Sequence, residues 1–263
     1  MSARRIAGLL LRHLYLYRRS LTRMLEVAYW PVMDLLVWGF VSLYIAQVQA
    51  KLPVIIGFFL GAMIFWDIFY RAQQAIAISF LEDVWARNLI NLFITPLSIG
   101  EFLTATMILG ILKVLVTSLL LVVLALSLYH FNLFLLGLSL IPLVANLILT
   151  GWWVGILTTG LILRFGQGAE SLAWALAFLL QPFSAVFYPL SVLPPSIRLV
   201  GWYLPTTHVF EGMRQVIAGG GLSLKHLAWA TGLNALYLLA AMGIFQWAMA
   251  VARRLGLLLR VEG

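Results

Sequence analysis

"FYPLSVLPPSIRLVGWYLPTTHVFEGMRQVIAGGG", residues Phe187 to Gly221, interrupts a chain otherwise made of long apolar runs. It carries four prolines, a glutamate, two arginines and a closing run of three glycines. Pro189, Pro194 and Pro195 end regular structure, because proline lacks an N–H and restricts the residue before it. Pro195 suits the first turn of a short helix bearing Ile197, Leu199 and Val200. After Pro205, Thr206 or Thr207 can cap a second helix that closes at the glycine run. That helix has about twelve residues, or about 18 Å, against the roughly 30 Å of a hydrocarbon core. Val209, Phe210, Met213, Val216 and Ile217 form its apolar side, while Glu211, Arg214 and Gln215 form the other. Glu211 and Arg214 are spaced to pair. Irregular backbone cannot face lipid at depth, so residues 190–224 read as a half-inserted hairpin at one end of a helical bundle.

Composition explains why a bundle surrounds this hairpin. The chain is 63% hydrophobic and 10% charged, with a mean hydropathy of +1.02, whereas soluble domains carry roughly 25% charged residues. An all-α polytopic membrane protein is expected. The apolar runs are continuous, unlike the alternating ten-residue segments of a barrel. The net charge of +8 raises nucleic acid as a partner, but the basic residues gather at the two ends of the chain. Membrane lipid with an anionic inner leaflet fits that distribution better, and no nucleic acid is expected. Cysteine is absent, which excludes a disulfide frame, a thiolate nucleophile and Cys-ligated metal.

Residues 3–28 read as one amphipathic helix lying on the membrane. Ile6, Leu9, Leu10, His13, Leu14, Tyr17, Leu21 and Met24 recur along one side, and Arg5, Arg12, Arg19 and Glu26 follow every seven residues on the other. The arginines interrupt the first apolar residues, so the segment does not read as a secretory signal. Six spans follow, at about 31–49, 54–79, 102–128, 134–163, 171–189 and 226–250. Pro31 is expected to open the first, and Pro182 to kink or weaken the fifth. Six arginines precede residue 24, and Arg87, Arg164, Arg253, Arg254 and Arg260 fall on the same side of this topology. Lys51, Arg198, Arg214 and Lys225 fall opposite, which places both termini in the cytoplasm. Gly57/Gly61 and Gly151/Gly155 make two GxxxG spacings suited to close helix packing.

Two further clusters are candidates for function. Asp67 and Arg71 lie four apart in the second span and share a face with Trp66 and Tyr70. They read either as an intrahelical ion pair or as the polar lining of a substrate path. Asp34 and Lys113 also fall within or near spans, and neither identifies a mechanism alone. In the loop after the second span, residues 80–102, Leu81, Val84, Trp85, Leu89 and Leu92 share one helical side with Glu82, Asp83 and Arg87 elsewhere. Pro96 ends that helix. It suits docking to a soluble partner or serves as an interfacial linker.

The stretch "FYPLSVLPPSI…WYLPTTHVFEGMR" resembles the late segment of membrane subunits of ABC-2 type exporters. The resemblance rests on Phe187, Tyr188 and Pro189, Leu193 and Pro194, then Pro205, Thr207, His208, Glu211 and Arg214. The layout is similar too, so the resemblance covers nearly the whole chain as a single ABC-2 type transmembrane domain, residues 1–263. It implies two membrane subunits, either a homodimer or a pair of related permeases, driven by two cytoplasmic ATP-binding-cassette ATPase subunits in the cell (inner) membrane. It implies that Leu81 to Phe93, with Leu81, Glu82, Asp83, Trp85, Arg87, Leu89 and Phe93, form a coupling helix against the ATPase. Two short outer re-entrant helices, about Pro194–Trp202 and Thr206–Ala218, would sit at the substrate exit.

Trp66, Asp67, Tyr70 and Arg71, with Phe183, Phe187 and Tyr188, are the expected substrate path. No GxxxxGK[ST] phosphate cradle occurs in the chain, so ATP and Mg are expected on the partner, with no cofactor here. The resemblance implies a cargo among polysaccharides, lipids and lipid-linked molecules, drugs and other amphiphiles. HExxH, GxSxG and paired intramembrane aspartates are missing and the four histidines are scattered, which argues against an enzyme. An ion-coupled carrier or channel using Asp67 stays open as the alternative.

Overall fold

The computed structural model describes residues 1–49 and 52–254. Two of the basic residues used for orientation, Lys51 and Arg260, lie outside them. All regular structure among the described residues is helical. In chain order the α-helices are α1 (Ala3–Arg19), α2 (Leu21–Gln49), α3 (Leu52–Trp85), α4 (Leu89–Ile94) and α5 (Ile99–Tyr129), then α6 (Leu140–Phe165), α7 (Leu172–Leu180), α8 (Pro195–Trp202), α9 (Pro205–Ile217) and α10 (Leu224–Arg254).

The long third helix is the axis of the molecule, packed by α2, α5, α6, α7 and α9. Phe65, Phe69, Phe80, Ile64, Ile68 and Ile76 are fully buried along it. Apolar residues on several sides of a helix need neighbours on each of those sides. The tightest neighbour is α6, admitted by Gly151 and Gly155, which face the α3 backbone at Phe69 and Gln73. The expectation that this GxxxG pair serves helix packing is met there. Helix α10 is held to α6 by a buried polar network. Asn234 donates to the Asn146 carbonyl at 2.9 Å and side chain at 3.0 Å, and accepts from Thr150 at 2.9 Å and Trp153 at 3.1 Å.

Among the described residues, four helices are long and apolar enough to cross a membrane: Leu21–Ile45, Ile99–Tyr129, Leu133–Phe165 and Leu224–Arg254. Helix α3, at 34 residues, carries Asp67, Arg71, Gln73 and Gln74 in its middle. The continuous span expected over 171–189 does not form. Helix α7 is nine residues, about 14 Å. The chain then tightens into a 3-10 turn at Gln181–Phe183, and Ala185 takes a left-handed φ of 52°. The reason is local: Pro182 removes a backbone donor, and the Ser184 hydroxyl takes the Leu180 carbonyl at 2.7 Å.

The N-terminal half brings two more corrections. The single helix expected over 3–28 breaks at Ser20, which is extended (φ −121°, ψ 103°) and accepts the Arg23 N–H on its hydroxyl. Residues from Leu21 onward belong to α2, so Pro31 sits inside that helix and does not open it. Helix α1 is also not a free basic face. Arg12 pairs with Asp83, Arg23 of α2 pairs with Glu82 at 3.2 Å, and Arg5 pairs with Glu101 at 3.3 Å. Glu101 closes a capping box with Ser98 at the start of α5 and accepts the Ser2 N–H at 2.6 Å.

His13 lies under α1, 1% exposed, and neither ring nitrogen has a partner among the described residues. Burial pushes its pKa down from 6.5 to about 4, opposed by Asp83 and assisted by Arg12, Lys113 and Arg23. A depressed histidine pKa means that the undocked helix binds the proton before the docked one does. Docking of α1 is therefore at full strength above pH 6.5 and weakens as pH falls toward about 4. The protection factors of the α1 amides, each taken against the intrinsic exchange rate at its pH, are expected to fall more between about pH 7 and about pH 5 in the native chain than in His13→Phe. An equal fall in the two proteins would remove His13 as the cause.

Candidate functional site: an aromatic cleft lined by carboxylates

A cleft of about 600 Å³ opens between α2, α3 and α7. From α2 it receives Glu26, Trp30, Asp34 and Trp38. These residues recur every four positions and so share one helix face, alternating acid and indole over about 18 Å. Helix α3 contributes Met63, Trp66, Asp67, Tyr70, Arg71 and Gln74 at helical spacing. Trp174, Phe178, Gln181 and Phe187 come from α7 and the segment after it.

The geometry is stacked and charged. Trp38 stacks on Phe187 with centroids 4.2 Å apart and planes at 17°, and on Phe59 at 5.8 Å and 11°. Tyr70 tilts against Phe178 at 5.4 Å, and the Arg71 guanidinium lies 5.8 Å from the Tyr70 ring centre. Asp67 and Arg71 form the expected ion pair at 3.1 Å, each side chain 8% exposed. One Asp67 oxygen, Oδ2, has no hydrogen-bond partner among the described residues. Glu26 and Asp34 are exposed and neither forms an ion pair among the described residues. Three carboxylates thus face one guanidinium, already paired.

Of the residues expected along a substrate path, Trp66, Asp67, Tyr70, Arg71 and Phe187 meet in this cleft. Phe183 and Tyr188 do not line it. The Phe183 carbonyl accepts the Thr207 hydroxyl at 3.4 Å, and the Tyr188 hydroxyl donates to the Pro182 carbonyl at 2.5 Å. Sequence reasoning missed the α2 wall. The four-residue alternation was there to find, but Glu26 had been counted on the arginine face of the N-terminal helix, and the break at Ser20 moves it onto α2.

The loop residues expected to form one helix, Leu81 to Phe93, form two pieces. Helix α3 continues through Trp85, Arg87 turns the chain with a φ of 50°, and α4 begins at Leu89. Thr95 is extended before Pro96, as expected. Leu81, Val84, Leu89 and Leu92 are buried together, but Trp85 is 47% exposed, its indole N–H donating to Glu170 at 3.1 Å. Glu82 and Asp83 are engaged by Arg23 and Arg12. Phe93 lies in α4, and its side chain is outside the described set. The exposed residues here include the elbow Trp85–Arg87, Asn91 and residues 94–96.

At the other end α8 and α9 form the expected hairpin, with Pro205 in the first turn of α9 and Pro194 immediately before α8. Thr206 and Thr207 do not cap α9. Leu204 holds that position, and Thr206 donates instead to Ser184 at 2.7 Å. Glu211 and Arg214 pair at 3.1 Å and also grip the irregular segment near Pro189. Glu211 accepts the Leu190 N–H at 2.7 Å, and Arg214 donates to the Ala185 carbonyl at 2.8 Å. His208 Nε2 lies 2.8 Å from the Trp202 carbonyl. A carbonyl only accepts, so Nε2 carries the proton and Nδ1 accepts from His226, 3.1 Å away. Burial pushes the His208 pKa down, consistent with that neutral tautomer.

The chain matches no known protein-family model, and no curated protein matches it.

Proposed function

We propose that this chain is the membrane subunit of an ATP-driven exporter, with α2, α3, α5, α6 and α10 crossing the bilayer and α7 beginning a sixth, broken crossing. The observation that carries the reading is how that crossing is completed. From Trp174, which stacks near Trp85, to Phe187, which stacks on Trp38 and near Phe59, the segment runs along much of α3. Its non-helical part is supplied with hydrogen-bond partners by Glu211 and Arg214 of α9. Irregular backbone is tolerated at membrane depth only where protein satisfies it. A broken crossing supported by a short-helix hairpin, beside an open cleft, gives a path that can change access.

In this reading both termini and the Trp85–Arg87 elbow face the cytoplasm, and the α8–α9 hairpin faces outward. The ATPase, carrying ATP and Mg, docks on the elbow, and two copies of this chain or two related permeases make the pore. ATP must bind the closed arrangement more tightly for its binding to drive the change of access. The cargo is an amphiphile, a lipid-linked molecule or a polysaccharide, moving through the cleft.

The experiment is co-expression with the ATPase. Arg87→Glu combined with Ile94→Glu is expected to lose at least about tenfold of ATPase association, since placing like charge or a bare carboxylate in an interface costs several kcal/mol. The melting temperature of the purified chain should stay unchanged, because both residues are exposed. Undiminished association and stimulated ATP hydrolysis in the double variant would refute docking at this elbow. An ion-coupled carrier is the second reading, favoured by Asp67 among the cleft-lining residues, one carboxyl oxygen of which has no partner among the described residues. Uptake driven by an ion gradient in vesicles lacking ATP would select it.

A further inference from the structure

The charge on the cleft wall points to the class of molecule it holds. Asp67 is paired with Arg71, which leaves Glu26 and Asp34 as two carboxylates without an ion-pair partner among the described residues. Between and beyond them stand the indoles of Trp30 and Trp38, at four-residue spacing on the same face of α2. Indole faces attract cations more strongly than other aromatic rings do, and most strongly where water is scarce. Trp66 and Phe178 supply apolar wall opposite. The cavity of about 600 Å³ is of the size that encloses a drug-like molecule.

We propose that this cleft binds a lipophilic organic cation, an amine or onium centre carried on an aromatic or alkyl body. Asp34 and Glu26 supply the counter-charge, Trp30 and Trp38 supply the cation–π faces, and Trp66 and Phe178 receive the apolar body. A lipophilic anion of the same shape meets two unpaired carboxylates and only one guanidinium, which Asp67 already neutralises. The inference rests on the reading of the cleft as the cargo path and narrows the amphiphile to a positively charged one.

Tetraphenylphosphonium and tetraphenylborate differ in the sign of their charge and hardly in shape, so the pair separates charge recognition from greasiness. Titrated calorimetrically against the full chain in nanodiscs, with empty nanodiscs subtracted, the phosphonium is expected to bind saturably. The borate should bind at least about tenfold more weakly. Asp34→Asn is expected to weaken phosphonium binding about tenfold, and Asp34→Asn with Glu26→Gln to abolish the preference for cation over anion. Both substitutions keep side-chain size at exposed positions. Trp38→Leu should weaken the phosphonium more than a neutral tetraphenyl analogue.

Borate binding as tight as phosphonium, no saturable phosphonium binding, or an unchanged affinity in the double carboxamide variant would each overturn the proposal. The ATPase takes no part in this titration. Cation binding by a chain that recruits no ATPase would sink the exporter reading and keep this site. A chain that recruits the ATPase and ignores the cation would do the reverse.

Discussion

Replacing Arg71 by alanine is expected to cost about 3–5 kcal/mol of stability, the cost of leaving one partner of a buried ion pair alone. Arg71 and Asp67 are each 8% exposed at the side chain, so solvent cannot compensate the orphaned carboxylate. The second Asp67 oxygen lacks a partner among the described residues. The loss should appear as a fall in melting temperature of the detergent-solubilised chain and in the fraction surviving size exclusion. Asp67→Leu with Arg71→Met removes both charges at similar volume and is expected to recover most of the stability, because a matched apolar pair avoids both desolvation costs. The double variant also separates structure from transport. A chain that folds normally and has lost its cargo would place the pair in the path, whereas full transport would leave it a packing element.

Gly151→Val is expected to be comparably damaging for a steric reason. A Cβ at residue 151 would stand 2.5 Å from Ala72 Cβ, 2.7 Å from the Phe69 carbonyl oxygen and 2.8 Å from the Gln73 nitrogen. Two of those three atoms are backbone, so the helices must separate at their closest approach. Overpacking typically costs about 1–3 kcal/mol, and contact with backbone places this substitution at the upper end or beyond it. Gly243→Ala in α10 is the control: nothing lies within 4 Å of its Cβ position, and the exchange favours a helix by up to about 1 kcal/mol. A melting temperature for Gly151→Val within a degree or two of the unmodified chain would show that α3 and α6 do not pack here.

Much of the hairpin was legible because proline and glycine act locally. Pro195, Pro205 and the glycines at 219–221 mark the helix ends through constraints that need no distant partner, and the short helices fall where those residues place them. The Glu211–Arg214 and Asp67–Arg71 pairs were readable for the same reason, since helical spacing alone brings them together. Glu82 and Asp83 illustrate the opposite case. Their polarity suggested a surface open to a partner, but Arg23 and Arg12, 59 and 71 residues away in the chain, already occupy them. Spacing along one helix carries no information about that pairing.

The cleft divides in the same way. Glu26, Trp30, Asp34 and Trp38 align by sequence period alone, and so do Trp66, Asp67, Tyr70 and Arg71. That the two faces meet, and that Phe187 stacks on Trp38 at their far end, depends on the break at Ser20 and the turn at Ala185. Composition, apolar run length and proline position are short-range properties, so the sequence by itself determined an all-helical, lipid-compatible chain with a two-helix hairpin. Which faces pack, which charges are left without partners and where the fifth apolar segment stops being helical were decided only by the tertiary structure, because each depends on contacts between residues far apart in the chain.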